Sequence, residues 1–254
     1  GALVMLNADT GEILAMASHP TFDPNNLEEA WSALVSDPAK PLIDRATQGQ
    51  YKAGGSLNPF LLAKAVSLER LPMQSTEAAP ETSASIGKCA IKPADSSWFA
   101  LIAAGCPWMS QKVTNLLSTA EINKMVIDLG LTQPSDLEAR LDLPGEMPDT
   151  EEETGNIPNT QSLQVSPLQM ARAAATLSGH GELPFPKMGI AVNLPESGWT
   201  IIDSGQQAAQ SFSNEIADQI AIKLASQSMP IWESIAQPKD GASKPLTWYL
   251  AGTL

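Results

Sequence analysis

The sequence predicts an α+β protein, and three observations support this. Apolar runs near both ends of the chain are flanked by turn residues, as antiparallel strands are, and the middle of the chain carries helical spacing and capping residues. The two kinds of element do not alternate along the chain, so βαβ units are not expected. We therefore predict a single domain, 1–254, in which an antiparallel sheet covered by helices (about 1–55 and 185–254) adjoins an all-helical part (about 56–184).

The predicted strands lie towards the two ends. ALVMLNADTGEILAMAS has the pattern of a β-hairpin, in which the apolar runs 3–6 and 13–16 flank a turn at 7–11. Asp9, Thr10 and Gly11 also match a loop of aspartic proteases, but those enzymes need two such loops and this sequence supplies one, so we interpret the match as a turn. The segments GIAVNL, WTIID and TWYLAGTL are predicted as later strands.

The predicted helices lie mainly between these strands. Residues 19–49 are rich in turn residues, and a helix is predicted from about 56 to 70. WFALIAAGCPWMSQKVTNLL and STAEINKMVIDLGL are predicted as the next helices, the second beginning with a capping box of Ser118 and Glu121. SPLQMARAAATLSGHG, with Pro167 in its first turn, and SNEIADQIAIKLASQS complete the set.

Composition excludes several functions. The formal net charge is −13 and the pI about 4.5, so the surface would repel phosphate backbones, and nucleic acid is not an expected partner. No run approaches the ~20 apolar residues of a membrane span, and no signal peptide is present. Because the chain opens directly on a predicted strand, we expect a fragment of a longer protein. The two cysteines could pair or stay free.

Several segments, taken in order, resemble the transpeptidase domain of penicillin-binding proteins, class B more than class A. GALVMLNADTGEILAMASHPTFDPN and PLIDRATQGQYKAGGSLNPF resemble its start, where the family has TGEILAMAS.P.FDPN and then NRA....Y.PGSTFKPF. INKMVIDLGL, LPGE, VSPLQMARAAATLSGHGE and TWYLAGT follow in the family's order. The resemblance covers essentially the whole chain. It implies a β-lactamase-like transpeptidase fold, with no cofactor or metal, in a cell-wall protein held outside the cytoplasm by an N-terminal membrane anchor absent from this fragment.

The first family motif is a serine at a helix N-terminus followed three residues later by a lysine, which takes the proton of the hydroxyl. The resemblance aligns Tyr51, Gly54, Pro59 and Phe60 with the family pattern without a gap. The nucleophile then falls on Gly55 and the lysine on Asn58. Ser56 is the alternative nucleophile, but one helical step of about 100° would turn its hydroxyl away from the cleft.

The other two motifs are altered as well. Where the family has Ser-x-Asn, which assists proton transfer and holds the substrate amide, the resemblance places Gly105, Cys106 and Pro107. Where it has Lys-Thr-Gly, which binds the substrate carboxylate, the resemblance places Lys239, Asp240 and Gly241. An aspartate at the threonine position would repel a carboxylate.

We therefore expect a transpeptidase-like domain without catalysis, which binds a cell-wall peptide or a cell-wall-synthesis protein, or serves as a scaffold. Two alternatives stay open: an active D,D-transpeptidase acylated at Ser56, and a structural module whose cleft is filled by side chains. The resemblance also implies that Cys89 and Cys106, near the second motif, could form a disulfide in an extracytoplasmic setting.

Three further patterns carry less weight. Ser85 and Lys88 form a Ser-x-x-Lys in a segment without helical periodicity, and we interpret it as a chance match. His19 and His180 each lie beside a turn without the spacing of a metal site or a catalytic triad, so they are predicted to lie in loops or on the surface. The acidic run 151–153 is predicted to be a solvated surface segment rather than a cation site.

Overall fold

The computed structural model of the chain describes residues 1–74, 88–132, 162–189, 191–195, 198–201, 208–238 and 246–254. Within these ranges helices pack on antiparallel strand pairs, which confirms the predicted α+β class. None of the helices in the described ranges combines the length and the hydropathy that a membrane span requires.

Seven α-helices fall within the described residues. They are α1 (Leu27–Ser36), α2 (Asn58–Ser67), α3 (Trp98–Ala103), α4 (Met109–Thr114), α5 (Thr119–Asp128), α6 (Pro167–Ser178) and α7 (Asn214–Lys223). Short 3-10 helices precede α1 and α2, at Pro24–Asn26 and Gly54–Leu57. The predicted capping box at Ser118 is confirmed, and Ser166 forms a second one at the start of α6.

The described strands pair two by two, and every pair is antiparallel. β1 (Ala2–Leu6) pairs with β2 (Ile13–Ser18), β3 (Tyr51–Lys52) with β4 (Gln164–Val165), β5 (Glu182–Leu183) with β8 (Ala209–Gln210), β6 (Ala191–Leu194) with β7 (Gly198–Ile201), and β9 (Ile231–Ala236) with β10 (Trp248–Thr253). The N-terminal hairpin and the strands predicted from GIAVNL, WTIID and TWYLAGTL are thereby confirmed.

Helix α2 lies at the centre of the hydrophobic core. Every residue from Asn58 to Ala63 is buried, and the helix packs against α4 and α7. Helix α6 packs against α7, β1 and β10. The Trp232 indole of β9 donates to Ser178 Oγ at 2.9 Å, and the Ser178 hydroxyl donates to the Thr253 carbonyl at 2.8 Å. These two bonds fix α6 against the β9–β10 hairpin.

Helix α1 and strand β9 are the longest elements that were not predicted; the two-residue strands β4, β5 and β8 were not predicted either. Helix α1 lies within the turn-rich stretch 19–49, because the prolines and asparagines there flank a helix rather than exclude one, and none of its residues is buried. Strand β9 was missed because apolar and polar side chains do not alternate cleanly along IWESIA. Its buried face consists of Trp232, Ser234 and Ala236, and Ile235 lies on the other face.

Candidate functional site

The segment that carries the first motif enters the core from β3 and continues through the 3-10 helix into α2. Tyr51 makes an edge contact with the Trp248 ring, with the ring centroids 6.3 Å apart, and the Trp248 indole donates to the Lys52 carbonyl at 2.9 Å. Burial raises the pKa of the Tyr51 phenol, and the charge of Arg45 opposes this shift. Strand β10 therefore holds the approach to the motif in place.

The backbone conformation and the close packing at position 54 both favour a glycine. Its φ is +50°, in the left-handed region that favours glycine, and a Cβ placed there would lie 2.8 Å from Pro238 Cβ. Pro238 follows β9, so the end of that strand covers the start of the 3-10 helix.

Gly55 and Asn58 face the same side of the segment, as their spacing of three predicts. A Cβ placed on Gly55 would lie 3.6 Å from Asn58 Nδ2, 3.5 Å from Ala236 Cβ and 3.2 Å from Ser110 Oγ. The position that the resemblance assigns to the nucleophile therefore opens between α2, α4 and β9. We call Gly55, Asn58, Ser110 and Ala236 the Gly55 niche.

A hydrogen bond between two polar side chains crosses this niche. The Asn58 amide donates from Nδ2 to Ser110 Oγ at 3.0 Å. Asn58 is only 4% exposed and its Oδ1 is buried without a hydrogen-bond partner among the described residues, whereas Ser110 is half-buried. An amide nitrogen whose lone pair is delocalised cannot accept a proton at neutral pH, so position 58 has no general base.

Ser110 was not identified from the sequence. The stretch 98–117 was predicted as one continuous helix, but it divides into α3 and α4. The break between them determines which side chains of α4 face the niche. The signal that could have located the break is the glycine at 105 followed by a proline at 107.

Ser56 faces the core rather than the niche. It is 1% exposed, its hydroxyl donates to the Ala53 carbonyl at 2.7 Å, and its Oγ lies 3.9 Å from Met170 Sδ. A substrate could reach this hydroxyl only if the residues packed around it, Met170 of α6 among them, moved away.

The residues that the resemblance aligns with the second motif form a helix-ending turn. Gly105 has a φ of +67°, its N–H donates to the Ile102 carbonyl, and the Cys106 N–H donates to the Leu101 carbonyl. These are the two hydrogen bonds of a Schellman motif, in which glycine ends the helix. A Cβ on this residue would lie 2.5 Å from the Ile235 carbonyl oxygen, so a serine does not fit here.

The two neighbouring positions are also unlike the family motif. Cys106 is buried and forms a disulfide with Cys89, and Pro107 is exposed. A backbone hydrogen bond from Ile91 to Ala104 lies beside the disulfide. The disulfide therefore joins the chain ahead of α3, at Cys89, to the turn between α3 and α4.

Several predicted positions lie outside the described residues. These are the third motif (Lys239, Asp240 and Gly241), Ser85 of the Ser-x-x-Lys pattern, and the acidic run 151–153. The described part of β9 leads towards the third motif, with Ala236 beside Gly55.

The histidines and Lys112 supply no base to the niche. His180 pairs with Asp218 at 2.8 Å, on the surface between α6 and α7, and the pair raises the pKa of the imidazole. His19 lies beyond β2, in the turn that follows the hairpin. Lys112 follows Ser110 by two residues, about 200° around α4, and its Nζ lies 4.6 Å from the Trp108 ring centroid. No cluster of three potential metal ligands occurs among the described residues.

Comparisons with known proteins agree with this architecture. The family model described as penicillin binding protein transpeptidase domain matches residues 1–229. Peptidoglycan D,D-transpeptidase PbpA of Mycobacterium tuberculosis (strain H37Rv) is 25% identical over 287 residues, which cover 99% of this chain and 58% of that protein. Peptidoglycan D,D-transpeptidase MrdA of Escherichia coli (strain K12) is 38% identical over 71 residues, covering 26% of this chain and 11% of that protein.

The fold is also similar to solved structures. Penicillin-binding protein A from M. tuberculosis, in its penicillin G acyl-enzyme complex, has a TM-score of 0.75 and 22% identity, covering 99% of this chain and 65% of that one. The D,D-transpeptidase domain of a peptidoglycan glycosyltransferase from Eggerthella lenta has a TM-score of 0.72 and 17% identity, covering 99% of this chain and 69% of that one. This chain spans less than two thirds of the length of the curated relatives named above.

Proposed function

We infer that this chain, which belongs to the penicillin-binding protein transpeptidase family, is a member that binds without acyl transfer. The observation that carries the proposal is the composition of the Gly55 niche. A glycine stands at the position that the resemblance assigns to the nucleophile, and a buried carboxamide, Asn58, stands at the position that it assigns to the base. Without a nucleophile no acyl-enzyme forms, and without a base a neighbouring hydroxyl is not activated.

The other hydroxyls of the region do not replace the lost serine. Ser56 is buried on the core side of α2 and its proton is held by the Ala53 carbonyl. Ser110 lies in the niche, but its oxygen accepts a hydrogen bond from Asn58, which draws electron density away from the atom that would attack. A serine attacks acyl groups efficiently only when an adjacent base removes its proton.

The proposed role is binding or scaffolding in cell-wall synthesis, outside the cytoplasm. Two observations support the setting. The relatives named above are peptidoglycan D,D-transpeptidases, and the Cys89–Cys106 disulfide is of a kind that persists in oxidising compartments. The partner would be a cell-wall peptide or a cell-wall-synthesis protein, and a membrane anchor would belong to a longer chain.

The proposal is tested by incubating the protein with a fluorescent penicillin and reading the product by gel and by intact mass. We expect no covalent adduct from protein that circular dichroism shows to be folded. Penicillin-binding protein A from M. tuberculosis, which has been solved as an acyl-enzyme, serves as the positive control.

The double variant Gly55→Ser, Asn58→Lys is the matched gain-of-function control. A Cβ at Gly55 meets no atom closer than 3.2 Å, so the serine side chain can be accommodated by a small movement of Ser110. A slow adduct on the introduced serine of this variant, absent from the parent chain, would show that the missing side chains are the cause. An adduct on the parent chain would overturn the proposal, and peptide mapping would assign it to Ser56, Ser85 or Ser110.

A further inference from the structure

We propose that two copies of this chain form a two-fold dimer by exchanging helix α1, so that α1 of each copy packs on the β1–β2 hairpin of the other. The observation that carries the proposal is a pair of exposed apolar surfaces near the start of the chain, one on a sheet and one on a helix. Neither surface includes a residue of the Gly55 niche. The inference therefore goes beyond the proposed function and does not depend on it.

The first surface is the side of the β1–β2 hairpin that faces away from α6. Side chains alternate between the two faces of a strand, and Leu3 and Met5 of β1 are 53% and 54% exposed. Their partners across the hairpin are Ala17 and Ala15, which are exposed as well. Neither β1 nor β2 contains a charged residue. We call Leu3, Met5, Ala15 and Ala17 the hairpin face.

The second surface lies along α1. The apolar residues of this helix are spaced three and four apart, which places them on one side. They are Leu27, Ala30, Trp31, Leu34 and Val35, which we call the arm face. Trp31 and Val35 are 53% and 60% exposed, whereas the other three are half-buried. Among the described elements, the main contact of α1 is the 3-10 helix immediately before it. The arm face is therefore covered along one edge and open along the other.

Helix α1 lies on a connection, 19–43, whose two ends are fastened at one place. The Ser18 hydroxyl, at the end of β2, donates to the Ile43 carbonyl at 3.2 Å and accepts from the Arg45 N–H at 2.9 Å. The connection therefore leaves and rejoins the body of the protein beside the hairpin. A segment held in this way is the kind of element that two copies of a protein exchange at low cost.

A second copy of the chain is the occupant that fits both surfaces. Each copy supplies one arm face and one hairpin face, so a two-fold axis that brings one arm onto the partner's hairpin brings the reciprocal contact as well. Packing a helix on a sheet is a common way of covering an apolar sheet face. Charge favours the same place. Each copy carries a net charge of −13, and the uncharged hairpin face is a surface on which two such copies meet with little repulsion.

The exposed area is close to what a specific dimer needs. The four large exposed side chains and the two alanines of the hairpin face present roughly 500 Å² per copy, so exchange of both arms would bury roughly 1,000 Å². This total lies at the low end of the range for specific protein–protein interfaces. We therefore expect a dissociation constant in the micromolar range.

Sedimentation velocity on the whole chain, from about 1 to 300 µM, tests the exchange. We expect a monomer–dimer equilibrium. Trp31→Gln and Met5→Gln should each raise the dimer dissociation constant at least about tenfold, because each change removes apolar contact area and is made twice in a symmetric dimer. Both substitutions leave the net charge unchanged and alter side chains that are exposed in a single copy.

Trp199→Gln is the matched control. Trp199 is 76% exposed and lies on the β6–β7 hairpin, outside both surfaces, so its replacement should leave the dissociation constant unchanged. It removes the same side chain as Trp31→Gln, and it therefore separates a specific contact from a general effect of losing an exposed tryptophan.

A cross-link identifies the contact. Both native cysteines form the disulfide, so a cysteine introduced at 35 or at 15 is the only free thiol of its chain. A Val35→Cys chain mixed with an Ala15→Cys chain and a short bis-maleimide should give a covalent dimer with one copy of each, identified by intact mass. Each chain alone should give far less, because the exchange places position 35 of one copy beside position 15 of the other.

Three results would overturn the proposal. The first is a monomer at every concentration. The second is a dimer that Trp31→Gln or Met5→Gln leaves unchanged, or that Trp199→Gln weakens equally. The third is a cross-link between positions 35 and 15 within single copies of a chain that carries both cysteines, which would show that α1 covers its own hairpin. None of these results bears on acyl transfer, which the penicillin test decides separately.

Discussion

Gly105 gives the sharpest test of how closely the turn between α3 and α4 packs against β9. Replacing Gly105 by alanine adds a single methyl group at a φ of +67°, and that methyl would lie 2.5 Å from the Ile235 carbonyl oxygen and 3.0 Å from Ile235 Cγ2. The same change at Gly55 adds a methyl group 3.2 Å or more from its neighbours, in a residue without positive φ.

The expected magnitudes follow from these contacts. At Gly105 the left-handed backbone costs an alanine about 1–2 kcal/mol, and displacing strand β9 to relieve the overlap costs about 1–3 kcal/mol more. The sum of about 2–5 kcal/mol corresponds to a fall in Tm of roughly 5–15 °C for a domain of this size. At Gly55 the reduced entropy of the unfolded chain contributes up to about 1 kcal/mol and offsets the tight contact with Ser110, so the Tm should move by less than about 3 °C.

Gly198 distinguishes the cost of a left-handed backbone from that of steric overlap. Its φ is +69°, and a Cβ there would meet no atom of the described residues within 4 Å. Thermal unfolding of Gly105→Ala, Gly198→Ala and Gly55→Ala is followed by circular dichroism under non-reducing conditions. Gly198→Ala should show only the backbone cost of about 1–2 kcal/mol. If Gly105→Ala is no less stable than Gly198→Ala, the turn between α3 and α4 does not abut β9 as described, and a serine at 105 would have been sterically possible.

Two further predictions concern covalent and ionic links. The cysteines of the Cys89–Cys106 disulfide are 17 residues apart, so reducing the bond should lower the free energy of unfolding by about 3 kcal/mol. The loss is measured as a lower Tm in reductant. An unchanged Tm would contradict a stabilising role for the bond. Asp218→Asn should lower the pKa of His180, which the hydrogen bond and charge of Asp218 raise above 6.5, as measured by NMR titration. Because the pKa of His180 is raised in the folded state, the stability that this pair contributes is present below the unfolded-state pKa. It is lost as the pH rises through the folded-state pKa. The free energies of unfolding of the variant and the parent should therefore converge in alkaline solution. Equal pKa values in the two proteins would show that the contact does not hold in solution.

The sequence predicted the elements whose signals are local. The N-terminal hairpin, α5 with its Ser118 capping box, and α6 with Pro167 in its first turn all follow from residues close together in the chain. The spacing of Gly55 and Asn58 likewise placed them on one face, because three residues make nearly one helical turn.

What the sequence could not predict depends on contacts between distant segments. Ser110 enters the niche only because the chain turns at Gly105, and the fit of that turn against Ile235 is decided by a strand about 130 residues away. Strand β9 was not predicted because Ser234, a polar residue, lies on the buried face of the strand. The Ser234 hydroxyl donates to the Ile102 carbonyl there. Polar residues in such positions cannot be distinguished from surface ones by periodicity alone.

The geometry around α2 shows how the family fold accommodates Gly55 and Asn58. Gly55 and Asn58 face the niche, whereas Leu57, Phe60 and Leu61 face the core and are almost completely buried. A change on the niche side therefore leaves the apolar contacts that stabilise the domain untouched. The Asn58–Ser110 bond even adds a polar link between α2 and α4. Because the two faces are separate, the fold of the family is compatible with a glycine at 55 and an asparagine at 58, which is what the proposed non-catalytic function requires.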